Sequence, residues 1–152
     1  MAKISRRAVL GGGGAALALI GVGTVYGVTT LGATAAELTM TPPDVLAAVR
    51  EGRVLLVDIR RPDEWADTGI PEGAVPIDLR RDDFTDAVIA VRAFEGQPVA
   101  VICARGVRSR RMTVRLDEAG IAPIVDIPEG MLGSFAGPGW LQRGLPVVTW
   151  NA

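Results

Sequence analysis

Histidine is absent from the 152 residues, and cysteine occurs once, as Cys103. Without histidine, a Ser/His/Asp or Cys/His catalytic pairing cannot be assembled within one chain, and neither can a histidine-containing zinc site. A single cysteine rules out an intrachain disulfide and a Cys-x-x-Cys redox pair. Acidic residues are missing from the whole opening stretch: the first is Glu37, whereas Lys3, Arg6 and Arg7 precede it. Beyond Ala36 the chain carries 13 basic and 17 acidic residues, a net of −4. A mildly acidic domain with its arginines clustered locally is not built as a nucleic-acid binder and points to a small anion as partner. No metal and no cofactor is expected.

The first 36 residues read Met-Ala-Lys-Ile-Ser-Arg-Arg-Ala-Val-Leu, followed by a Gly/Ala-rich run that is uncharged from Ala8 to Ala36 and holds Ala33-Thr34-Ala35, a small-residue cleavage pattern. The paired Arg6 and Arg7 after Ser5 make this segment resemble a twin-arginine translocation signal. That resemblance implies a transient partner, the twin-arginine export machinery, and delivery across the inner membrane to the periplasm. The uncharged run is also long enough to span a hydrocarbon layer of about 30 Å, so a retained membrane anchor through residues 8–36 is the alternative. Glycine and alanine partition weakly into lipid, which favours cleavage. Residues 37–152 are then one domain of ordinary size.

Within that domain, Thr41-Pro42-Pro43-Asp44 predicts a helix start, with a Thr cap, proline in the first turn and an acid matched to the dipole; Gly52 marks its end. Val54-Leu55-Leu56-Val57 is a continuous apolar run closing on Asp58, and Val99-Ala100-Val101-Ile102 is another closing on Cys103, both as expected of buried parallel strands. Phe84, Ala87, Val88 and Val91 recur at helical spacing between them. After Cys103, the stretch from Ser109 to Ala119 places Met112, Leu116 and Ala119 on one helical face, and Gly120 supplies a stop. Ile124-Val125 forms a short third strand. The alternation predicts an α/β sandwich with a mainly parallel central sheet and helices on both faces.

The chemistry centres on one loop. Strand, Cys103, then Ala104, Arg105, Gly106, Val107, Arg108 and Ser109, then helix, puts the sulfur at the carboxyl end of a parallel strand, where open α/β sheets bind ligands. Unpaired N–H groups of the loop and first helical turn gather there, and Arg105 and Arg108 are expected to add full positive charge. Such surroundings favour the thiolate and would hold an anionic sulfur donor. Arg110, Arg111 and Arg115 are expected on an exposed basic face. A buried structural cysteine is the plain alternative for Cys103.

Three motifs make the chain resemble the rhodanese-like family over about 110 residues. Val57-Asp58-Ile59-Arg60-Arg61-Pro62-Asp63-Glu64-Trp65 is similar to its first signature, Cys103 to Ser109 to its active loop Cys-x-x-Gly-x-Arg-Ser, and Gly130 to Pro146, with Trp140 and Gly144-Leu145-Pro146, to its closing pattern. The resemblance implies a three-layer sandwich and double-displacement chemistry, in which Cys103 takes a sulfane sulfur from a small anionic donor such as thiosulfate and passes it to an unidentified acceptor. It implies that Ala104, Arg105, Gly106, Val107 and Arg108 cradle the sulfur, that Asp58 braces the loop, and that Arg60 braces it or touches substrate. Two departures stand out. Thr68-Gly69-Ile70-Pro71-Glu72-Gly73-Ala74 replaces a family segment that carries histidine, and Glu129-Gly130-Met131 replaces paired glycines.

Other functions remain open at this point. Phosphatases and arsenate reductases that share the fold use a loop with five residues between Cys and Arg; here there are four, a smaller cradle that favours sulfur over phosphate. Some relatives are docking modules without catalysis. A redox sensor would need an outside thiol, because no resolving cysteine exists.

Overall fold

The computed structural model describes residues 38–151, so the expected export segment lies outside the described residues. The elements run α1 (Pro42–Arg50), β1 (Leu55–Asp58), α2 (Pro62–Thr68), β2 (Ile70–Pro71), β3 (Ala74–Pro76), α3 (Phe84–Ala90), β4 (Val99–Ile102), α4 (Val107–Glu118), β5 (Ile124–Asp126), α5 (Gly139–Gln142) and β6 (Val147–Val148). Among the described residues no helix is long and apolar enough to cross a membrane.

Four strands form one parallel sheet in the order β3-β1-β4-β5. Side chains alternate across a strand, so each strand feeds two cores. Leu55 and Val57, Val99, Val101 and Cys103, and Ile124 point to one face, where Phe84 and Val88 of α3 and Met112 and Leu116 of α4 cover them. Leu56, Ala100, Ile102 and Val125 point to the other, beneath Val45, Leu46 and Ala48 of α1 and Trp140 of α5. Every residue of β1, β4 and β5 is buried, which is why these strands read as unbroken apolar runs. The predicted α/β sandwich is the observed fold.

Some local expectations are corrected. Thr41 takes the N-cap position, but its hydroxyl makes no capping bond and donates instead to Asp44 Oδ2 at 2.6 Å. Ala119 is the C-cap of α4 and exposed, because the helix ends one residue short of it. Val91 likewise caps α3 and is 40% exposed, outside the buried stripe.

The segment from Thr68 to Ala74 is not a loose connection. Ile70 and Pro71 pair antiparallel with Val148 and Val147, and Glu72 N–H donates to Pro146 O at 3.0 Å. Pro146 O also accepts the indole N–H of buried Trp140 at 2.9 Å, so the closing Gly-Leu-Pro turn ties the carboxyl end to this ribbon. Glu72 itself pairs with Arg50 across the surface.

Candidate active site

The chain leaves β1 for its neighbour β3 on one side, and passes from β4 to β5 on the other. The sheet therefore changes direction between β1 and β4, and the crevice beyond the carboxyl ends of those two strands is where such a fold binds ligands. Asp58 ends β1, and Cys103 follows β4 directly.

From Cys103 the backbone turns through Gly106, whose φ of 80° lies in the left-handed region, and enters α4 at Val107. A Cβ at Gly106 would lie 2.2 Å from Pro128 O, and one at Gly130 would lie 2.6 Å from Ala104 O. Two glycines thus let residues 128–132 press against the back of the loop. Met131 N–H donates to Cys103 O and Leu132 N–H to Ala104 O, both at 2.9 Å. In a trans peptide the C=O and the following N–H point oppositely, so anchoring these carbonyls turns the amides of Ala104 and Arg105 away from the 128–132 segment. None of the six amides of residues 104–109 donates to a carbonyl among the described residues. Six consecutive amides without a carbonyl partner thus stand at the N-terminus of α4, and such groups are the kind that bind anions.

The Cys103 side chain has no exposed surface and packs in the core beneath α4. Its Sγ lies 3.6 Å from Ser109 Oγ, whose hydroxyl donates to Gly106 O at 3.0 Å. The thiol is therefore closed over by the loop, contrary to the open crevice that the sequence suggests.

The two loop arginines do not share a role. Arg108 donates in a bidentate pair to Glu64 of α2, NH1 to Oε2 at 2.7 Å and NH2 to Oε1 at 2.6 Å. Those hydrogen bonds raise the guanidinium above its ordinary value. Glu64 is held down at about 2, chiefly by Arg108. The full positive charge expected from Arg108 is thus offset by a carboxylate. Arg105 is exposed, has no ion pair among the described residues, and lines a cavity beside the loop. The backbone dipoles are left as the main local source of positive potential around the sulfur.

Asp58 and Arg60 are both buried and paired at 2.7 Å. Arg60 spends all five N–H donors inside the protein: on Asp58, on the carbonyls of Glu64 and Gly69, and on Thr68 Oγ1. It has none left for a substrate. The pair braces α2 and its exit rather than the cysteine loop, and so holds in place the helix that presents Glu64.

Glu64 was visible in the sequence as the acid of the Pro-x-Glu-aromatic run, yet nothing there signalled a partner 44 residues away. Glu129 was read only as a departure. It is buried, accepts from Gly139 N–H at 2.9 Å and pairs with Arg143 at 2.8 Å, fixing the turn behind the loop. Met131, in place of a second glycine, fills the core under Trp140. Arg110, Arg111 and Arg115 are exposed, with Arg115 lying 5.7 Å over the Phe84 ring.

The Rhodanese-like domain family matches residues 41–133. A tRNA uridine(34) hydroxylase of Cupriavidus taiwanensis is 34% identical over 88 residues, which make up 56% of this chain and 31% of that protein. The chain thus spans about a third of the length of this curated relative. Among solved structures, the polysulfide-sulfur transferase homodimer of Wolinella succinogenes is 25% identical with a TM-score of 0.59, over 75% of this chain and 80% of that one. A rhodanese-like domain protein of Staphylococcus aureus is 25% identical with a TM-score of 0.55, over 73% and 98%.

Proposed function

That this chain belongs to the rhodanese-like domain family is the premise from which we propose a sulfurtransferase acting through a persulfide on Cys103. The observation that carries the reading is the run of unpaired amides at residues 104–109, adjoining the only thiol. In the first half-reaction the Cys103 thiolate attacks the outer sulfur of thiosulfate; a Cys–S bond forms, the S–S bond of the donor breaks, and its electron pair leaves on sulfite. In the second, a thiophilic acceptor takes the outer sulfur and the thiolate is regenerated. The cradle amides stabilise negative charge on the transferred sulfur throughout. Because Sγ has no exposed surface, the loop must move outward to admit the donor.

We further propose that residues 1–36 direct the chain through the twin-arginine machinery to the periplasm, soluble or anchored through residues 8–36. Replacing Arg6 and Arg7 together by lysine should then leave the protein in the cytoplasm; unaltered export would end that part of the proposal.

The test of the chemistry is turnover of thiosulfate with cyanide, together with mass spectrometry for one added sulfur on Cys103. The full chain is expected to form thiocyanate and to carry the added sulfur. Cys103→Ala should do neither while keeping its fold, and undiminished turnover in that variant would remove the mechanism. One observation favours a second reading, a docking module without catalysis: the closed thiol. An inactive Cys103→Ser variant that still supports the physiological role would favour it.

A further inference from the structure

Unpaired positive charge is gathered in one place on this domain. Of the 13 arginines beyond Ala36, eight stand in ion pairs, and Arg92, Arg105, Arg110, Arg111 and Arg115 have none among the described residues. Four of those five lie on the cysteine loop and α4, in a domain whose net charge is −4. The helix also breaks a charge rule that its neighbours keep. A helix N-terminus is positive, so acids in the first turn stabilise it and bases do not. Asp44 stands in the first turn of α1, Asp63 and Glu64 in that of α2 and Asp86 in that of α3, whereas α4 has no acid there and carries Arg108. Arg111 and Arg115 are moreover a like-charged pair four residues apart, which weakens a helix. A local conflict of this kind, with no gain inside the fold, marks a surface kept for a partner.

Val107, Arg110, Arg111, Val114 and Arg115 follow at helical spacing and are all exposed, Val107 at 61% and Val114 at 45%. Ser109, Met112, Thr113 and Leu116 occupy the opposite, buried face. The outward face begins at the thiol, because the first turn of α4 holds Ser109 Oγ 3.6 Å from Cys103 Sγ. It runs for about 12 Å along the helix before Asp117 and Glu118 end it. Arginines with valines among them match a protein face in which acids surround apolar side chains. A long polyanion or an anionic membrane would also meet the acidic remainder of the domain and be repelled by it.

We propose that the outward face of α4 docks the sulfur acceptor, a protein that surrounds its own reactive cysteine with acidic and apolar side chains. The inference rests on the sulfurtransferase reading and supplies its second substrate. The acceptor thiolate attacks the outer sulfur of the Cys103 persulfide. An S–S bond forms on the acceptor, the bond from Cys103 Sγ to the outer sulfur breaks, and the electron pair returns to Cys103 as thiolate. The proton on the outer sulfur travels with it, and neither an oxidant nor a reductant is required.

The probes are two helical peptides of about 15 residues with the same leucine stripe and one terminal cysteine, one bearing glutamates and the other lysines. Fluorescence anisotropy with the full chain should show saturable binding of the glutamate peptide only, weakening about tenfold between about 20 and about 200 mM salt. The Arg110→Glu/Arg111→Glu variant should bind it about tenfold more weakly, and Arg111→Glu alone about threefold, which keeps the test open if the double variant folds poorly. Transfer of sulfur from the thiosulfate-loaded chain to the glutamate peptide should fall in step, while turnover with cyanide stays unchanged. Equal binding of the two peptides, or indifference to the charge reversals, overturns the docking face. So does tighter arginine-dependent binding to phosphatidylglycerol vesicles or polyuridylate, or a dimer of this chain that the same reversals dissociate. Selective binding in a chain that transfers sulfur neither to peptide nor to cyanide would leave the face standing and end the sulfurtransferase reading. Turnover with cyanide but no preference between peptides would do the reverse.

Discussion

Glu64 and Arg108 show how one contact changes the electrostatics of a site. A guanidinium from the cysteine loop would by itself add positive charge to the site, but the bidentate pair sets a carboxylate against it, so the pair contributes orientation more than charge. Glu64 ionises at about 2 in the fold against 4.5 for the free side chain. A depressed carboxyl gives stability that is complete above the unfolded value and is lost as pH falls through the folded one. The pair is partly exposed, at 31% and 20%, so the linkage is discounted for solvent screening. Glu64→Gln is therefore expected to lower stability by about 1–2 kcal/mol at pH 7. The gap between the two proteins should narrow below pH 4.5 and close near pH 2, as read by urea unfolding across that range. A gap that stays constant with pH would mean that the carboxylate's charge is not what holds Arg108. At this scale the sequence was legible where chemistry is local: Cys103, Gly106 and Ser109 follow one another and meet again in space. It was illegible where partners are distant in the chain, as for Glu64 with Arg108 and Glu129 with Arg143.

Among the elements, β1, β4 and α4 were readable because burial on both faces of a parallel strand leaves an unbroken apolar run, and because an amphipathic helix repeats its apolar positions. The strand β3 was not, since its three residues are half-buried on the sheet edge and include Pro76, as the edge permits. The four-residue α5 and the two-residue β2 and β6 are too short for any period to show. The least legible element is the clamp at 128–132, whose effect depends on two backbones in contact rather than on a residue type. Gly106 isolates that effect when compared with Gly52, which has a similar φ of 69° but open space where a Cβ would stand. Gly52→Ala should incur only the left-handed backbone cost of about 1 kcal/mol. Gly106→Ala adds the collision with Pro128 O and should cost about 2–4 kcal/mol, with loss of sulfur transfer. Denaturant midpoints for the two variants check the difference, and equal shifts would show that loop and clamp are not held at this distance.

At the scale of the whole molecule, the sheet must be covered on both faces and at its edges, and the edge beside β5 is covered by the start of the described chain. Asp126 N–H donates to Leu38 O at 2.9 Å, Met40 N–H donates to Asp126 O at 3.1 Å, and Thr39 forms a parallel bridge with Asp126. Residues 38–40 therefore act as a short extra strand. Each net hydrogen bond contributes about 0.5–1.5 kcal/mol, so removing the two should cost about 1–3 kcal/mol. For a domain of this size that corresponds to a melting point lower by roughly 5–15 °C. A chain beginning at Glu37 should thus melt in one cooperative transition, and a chain beginning at Thr41 should melt earlier by that amount, with both measured by calorimetry in the same buffer. Coincident melting would mean that residues 38–40 cover the edge without stabilising it, and that the folded unit starts at α1.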